Sequence, residues 1–115
     1  AKLFNDAGYS RESLMHQSLQ WALDPDGDAS TDDAPDIVNL SWTAATVNVC
    51  SRVFQDELDV LRVSGIAVVL SAGNSGAGAS TSVSPANNPG QLSVGSVDQQ
   101  LMLSPFSSRG PSACD

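Results

Sequence analysis

The sequence predicts an α/β fold, a mainly parallel sheet with helices packed on it. Three observations carry that expectation. Ile66 to Leu70 is an unbroken apolar run rich in Val and Ile, the pattern of a parallel strand buried on both faces. Two stretches with helical apolar spacing alternate with three strand-like stretches, as in βαβ units. Gly65 and Gly73 bracket the central run, so a helix feeds into the strand and a loop leaves it. No internal repeat or linker divides residues 1–115, which read as one domain or part of one.

The elements follow in order. Residues 1–5 read as a short strand. Ser10 is a candidate N-cap for a helix over about 10–23, with Leu14, Met15, Leu19, Ala22 and Leu23 on its apolar face. Residues 37–41 read as the next strand. A second helix is expected over about 47–64, capped by Thr46 or Asn48, with Val53, Phe54, Leu58 and Leu61 facing inward. Gly65 suits the left-handed residue after its end, and Ile66 the apolar residue that follows. The third strand spans 66–71. Residues 77–88, small and polar, read as a long surface loop. Residues 92–97 and 103–108 read as further strands, the last broken by Pro105.

Bulk properties exclude several functions. Formal net charge is -8 with only five Lys and Arg, which argues against nucleic-acid binding. No apolar run reaches the roughly 18 residues that a bilayer span requires. One histidine and no Cys-x-x-Cys leave a zinc site short of ligands. His16 reads as a half-buried or surface residue of the first helix. Asp24, Asp26, Asp28 and Asp32 form an acidic loop that could offer oxygens to calcium. The EF-hand spacing fails there, because Gly27 comes too early and no Glu closes the loop. A solvated acidic linker is the favoured reading.

Ligands of open α/β sheets bind beyond the carboxyl ends of the strands, which is where Asn74 falls. The residues alone leave Asn74-Ser75-Gly76 either as a turn or as part of a site. The esterase pattern Gly-x-Ser-x-Gly is nearly met around Ser75 but fails at Ala77.

Five stretches in order then point further. They are Asp36-Ile37-Val38-Asn39-Leu40-Ser41-Trp42, Ser71-Ala72-Gly73-Asn74-Ser75-Gly76, Ser84-Pro85-Ala86, Val94-Gly95-Ser96-Val97-Asp98, and Phe106-Ser107-Ser108-Arg109-Gly110-Pro111. Together they resemble the subtilisin-like serine proteases (subtilases, peptidase S8), closest to the bacillopeptidase F-like branch, from Ala1 to Asp115. The family's Asp, His-Gly-Thr-His and Gly-Thr-Ser-Met-Ala motifs are missing from these residues. The chain therefore reads as the middle of a catalytic domain, truncated at both ends and without its nucleophile or base.

The resemblance implies roles residue by residue. Asn74 would donate its side-chain amide to the oxyanion of the tetrahedral intermediate, where a fixed neutral donor favours the transition state over the ground state. Ser41, Trp42 and Thr43 would pair their backbone with an extended substrate. Ser71, Ala72 and Gly73 would form one wall of the pocket for the side chain before the scissile bond. Val83, Ser84, Pro85 and Ala86 would form its rim and floor. Thr43 stands where the family usually has Gly, and Val83 would shorten the floor; both argue against a preference for large aromatic side chains. The resemblance also implies a peptide or protein substrate, no cofactor beyond the acidic loop's possible calcium, and an extracellular or cell-envelope parent. Under secretion Cys50 and Cys114 are free to pair. Exposed sheet edges make self-association an expectation for the chain alone. The competing expectation is a non-catalytic α/β module that binds peptides or proteins.

Overall fold

A computed structural model describes residues 2–114. The elements run α1 (Glu12–Trp21), β1 (Ile37–Leu40), α2 (Gln55–Val63), β2 (Ala67–Ser71) and β3 (Leu92–Val94). The sheet order is β1-β2-β3, and both pairings are parallel. Ile37 faces Ala67 and Leu40 faces Leu70 across the first pair; Val69 faces Leu92 and Ser71 faces Val94 across the second. The expected parallel α/β arrangement is what the chain forms.

One apolar cluster joins the helices to the sheet. Met15, Leu19 and Ala22 of the first helical stretch meet Phe54, Leu58 and Leu61 of the second, over Leu40, Val68 and Leu70 of the sheet. Leu58, Leu61 and Leu70 are at most 1% exposed, each contributing about 1.5–3 kcal/mol by burial. The central strand differs from expectation in one respect. Val68 and Leu70 are buried, while Ala67 is exposed and Val69 only half-buried. The helices cover one face of the sheet, and Ile37, Leu92 and Val94 on the other are 63%, 58% and 49% exposed.

The helix boundaries are narrower than the apolar spacing suggested. The N-cap of α1 is Arg11, in extended conformation and without a side-chain cap bond. Ser10 instead donates its hydroxyl to the Leu3 carbonyl at 2.6 Å. Leu14 is exposed, so the buried stripe is carried by Met15 and Leu19. Neither Thr46 nor Asn48 caps α2, whose N-cap is Phe54. Residues 48–51 are held from outside: Asn48 N–H donates to the Ser82 carbonyl and Ser51 N–H to Ser84 Oγ. Those donors are thereby satisfied by tertiary partners rather than by a helical turn. The other end of α2 is as expected. Gly65 has φ +88°, its N–H donates to Arg62, and Ile66 N–H donates to Leu61, the pair of bonds of a Schellman ending.

Of the expected strand at 1–5, Ala1 lies outside the described residues, and 2–5 form no strand. Asn5 closes a turn there by accepting from the Ala7 and Tyr9 amides. The expected strand at 92–97 ends at Val94, and that at 103–108 is reduced to one antiparallel bridge between Val97 and Leu103. The expected surface loop at 77–88 is wrong in its second half, since residues 83–88 are all buried. Their polar groups find partners: Ser84 Oγ and the Asn87 amide reach the Val49 carbonyl, and the Asn88 amide donates to Ser51. Burial of polar side chains is tolerated when hydrogen bonds replace water. The peptide bond between Ser84 and Pro85 is cis. Among the described residues, no helix is long and apolar enough to cross a membrane.

Candidate functional site

The candidate residues gather at the carboxyl edge of the sheet. Ser71 ends β2, and Ala72 extends the pairing by one bond, donating its N–H to the Val94 carbonyl at 2.9 Å. Gly73 then turns the chain at φ +98°, buried. A Cβ on Gly73 would lie 2.5 Å from Val83 Cγ2 and 2.9 Å from Ser108 Oγ, so only glycine fits the turn. Asn74 follows, exposed, and its carboxamide has no hydrogen-bond partner among the described residues. Its two N–H donors are therefore available to a ligand.

Segments that the sequence separates hold this loop. Ser108 N–H donates to the Gly73 carbonyl at 2.9 Å, and Ser108 Oγ accepts from Ser75 N–H at 3.0 Å. Ser108 thus grips the chain on both sides of Asn74. Gly76 N–H donates to Phe106, and Arg109 N–H to Thr81 Oγ1. None of the roles expected from the sequence falls on Ser108, although it lies in the 106–111 stretch. The signal lay in that stretch, but its contact with Gly73 spans 35 positions.

The other candidates fall on both sides of the same edge. Ser41 and Thr43 are exposed just past β1, whereas Trp42 turns inward, edge-on to Phe54 at 5.1 Å between ring centroids. Trp42 is thus a core side chain, and only its backbone faces the edge. Ala44 N–H donates to the Ser84 carbonyl, which ties the end of β1 to the 83–86 segment. Val83 packs against Gly73 from that segment, and Ser84, Pro85 and Ala86 are buried behind it. The hydroxyl of Ser84 is engaged with Val49 and Asn87. The three stretches named for the substrate channel are therefore brought together.

His16 stands apart from this edge. Its Nδ1 lies 2.6 Å from Glu57 Oε1, its ring packs on Phe54, and it is half-buried between the helices. That placement fits the structural reading of His16.

In the acidic loop, carboxylate oxygens of Asp24, Asp26 and Asp33 lie within 4.8 Å of one another. Asp33 takes the place expected for Asp28 and Asp32. Asp24 Oδ1 is buried without a partner, but Asp26 accepts from Asp28 N–H and Thr31 Oγ1, and Asp33 from Asp26 N–H. Asp28 is fully exposed and serves the loop itself; bonds from the Ser30 hydroxyl and then the Ser30 amide lower its pKa.

A parallel three-stranded sheet with helices on one face defines an α/β protein, a class whose ligands bind beyond the carboxyl ends of the strands. The comparisons narrow that class. The profile of the Subtilase family (Peptidase_S8) matches residues 1–115, and the chain belongs to that family. It is similar to bacillopeptidase F of Bacillus subtilis (strain 168), 29% identical over 121 aligned residues, covering 99% of this chain and 8% of that protein. It is also similar to subtilisin DY of Bacillus licheniformis, 30% identical, covering 95% of this chain and 36% of that protein. Among solved structures, sphericase superposes with a TM-score of 0.75 at 22% identity, covering 95% of this chain and 35% of that one. The S41 psychrophilic protease gives 0.74 at 21%, with the same coverage. The chain spans about a third or less of the length of these relatives, and the last two likenesses show the fold alone.

Proposed function

We propose that this chain is the part of a subtilisin-like serine endopeptidase that supplies the oxyanion-hole amide, Asn74, and the strands that bind the substrate. The observation that supports this most is the exposed, unpartnered carboxamide of Asn74 on a loop gripped from both sides by Ser108. A donor held in place before the reaction stabilises developing negative charge without reorganising. Ser41 to Thr43 and Ser71 to Gly73 flank the position of an extended peptide, with Val83 to Ala86 behind them. The catalytic Asp, His and Ser belong to parts of the enzyme outside these residues. The substrate is a peptide or protein. The parent works outside the cell or at its envelope, a setting that the Cys50–Cys114 disulfide supports. Alone, the chain self-associates through the exposed edges of its sheet.

The test is Asn74→Ala in the complete enzyme. Turnover should fall about 100- to 1,000-fold with KM little changed, a magnitude established for this donor in a subtilisin rather than derived from this geometry. Turnover within about threefold of the parent would remove the oxyanion role, since a lost transition-state donor costs more than that.

A further inference from the structure

Beside the Ser108 grip lies a cavity of about 300 Å³, lined by Ala72, Val83, Asn87, Ser108, Arg109 and Ser112 among others. None of its lining residues is acidic. Arg109, half-buried, lines this cavity, and its Nε is buried in the wall without a hydrogen-bond partner. The guanidinium makes no ion pair among the described residues, although the sequence carries 13 acidic residues against five Lys and Arg. Lys2 and Arg62, by contrast, are paired with Asp6 and Asp59.

Chemistry selects what this cavity accepts. An arginine is always charged and has only donors. Leaving one of its N–H groups buried and unpaired is costly, more so than for a neutral group. Ser108 Oγ already accepts from Ser75 N–H, so its own proton is free to be donated. Of the nearby acceptors, Asn87 Oδ1 takes the Ser84 hydroxyl and Ser112 Oγ takes the Cys114 amide, while the neutral oxygens of Asn88 and Ser93 make no bond to Arg109. Surplus donors, one of them cationic, call for an acceptor-only anion, and the guanidinium fork matches a carboxylate.

We infer that the cavity at Arg109 binds a carboxylate, from an acidic side chain or a chain terminus of a peptide. Ser108 contacts both the cavity and the loop carrying Asn74, so occupancy reaches that loop. The cavity shares Ala72, Val83 and Ala86 with the side-chain pocket proposed above, so the inference rests on that reading and deepens it, while its test requires no turnover.

The test is an NMR titration of the 115-residue chain with sodium acetate, against sodium chloride at equal ionic strength. Saturable shifts at the Ser75 and Ser108 amides and at Arg109 Nε–H are expected with acetate alone. Arg109→Gln should weaken binding at least about tenfold, since a hydrogen bond to a charged group is lost. Arg109→Lys should fall between, keeping the charge without the fork. N-acetylalanine and N-acetylaspartate α-amide separate the two sources, and the tighter binder identifies the natural one. Equal shifts with chloride, or unchanged affinity in Arg109→Gln, would overturn the inference. Should Arg109→Gln fail to fold, the Arg109 Nε–H resonance of the unsubstituted chain decides, because its indifference to saturating acetate is equally fatal.

Discussion

Gly73 and Asn74 show how one residue makes room for the next. The turn places Asn74 beyond β2 only because nothing projects from Gly73 toward Val83 and Ser108. Gly73→Ala would meet two penalties, a left-handed backbone worth roughly 1–2 kcal/mol and crowding in a packed site worth roughly 1–3. Val83 is 3% exposed and Ser108 8%, so neither can move aside cheaply. We expect a loss of about 2–5 kcal/mol in chemical denaturation of this chain, from those two terms together. A variant within about 0.5 kcal/mol of the parent, the range of neutral surface changes, would show that the loop relaxes. The position of Asn74 past the strand end was legible in the sequence, since an apolar run ended by Gly sets where a strand stops, while its role came only from the resemblance. Ser108 was not legible as a partner, because its contacts with Gly73 and Ser75 are tertiary.

Helix α2 shows where local pattern stops being informative. Its apolar positions Phe54, Leu58 and Leu61 and its Gly65-Ile66 ending were readable, because periodicity and the left-handed glycine are local properties. Its start was not, because distant groups at Ser82, Ser84, Asn87 and Asn88 take the backbone of residues 48–51. The same contacts bury residues 83–88, whose small polar composition reads as a surface loop. The acidic loop after α1 carries a prediction at this scale. Calcium prefers six to eight oxygen ligands, and among the described residues only three carboxylates converge here, two of them already accepting bonds from within the loop. Binding by Asp24, Asp26 and Asp33 should be weak, with a Kd on the order of 10⁻³ M or above, the weak end of the range for calcium modules. Calorimetry on the chain checks this, and micromolar binding would mean that further oxygens complete the site.

At the scale of the whole chain, the carboxyl edge is assembled from segments far apart in sequence, and a covalent link helps to hold them. Cys50 and Cys114 are bridged across 64 positions with Cα atoms 4.9 Å apart, a pairing the resemblance allowed but spacing alone did not fix. Closing a loop of that length restricts the unfolded chain, so Cys50→Ser with Cys114→Ser should cost about 2–4 kcal/mol, read by thermal or urea unfolding. A change below about 1 kcal/mol would place the stability of this edge in its hydrogen bonds, well under the usual worth of a native bridge. The parallel topology was legible because strands and helices alternate; the open sheet face was not, because a continuous apolar run reads as buried on both sides. Activity is also a property of the whole. The subtilisin mechanism needs a serine whose proton passes to a histidine that an aspartate orients. The one histidine, His16, has its Nδ1 on Glu57 and its ring on Phe54, and Glu12 lies 3.8 Å from Nε2. Ser108 and Ser84 are buried and hydrogen-bonded within the fold, and Ser75 lies on the Asn74 loop, without a histidine partner among the described residues. The oxyanion role proposed for Asn74 would then have no attacked carbonyl to act on. We therefore expect the 115-residue chain to hydrolyse no peptide bond by this mechanism. Incubation with a serine-directed fluorophosphonate and an unfolded protein substrate should give neither stoichiometric labelling nor cleavage. Labelling with turnover, both abolished by His16→Ala, would mean that a complete nucleophile and base are present after all.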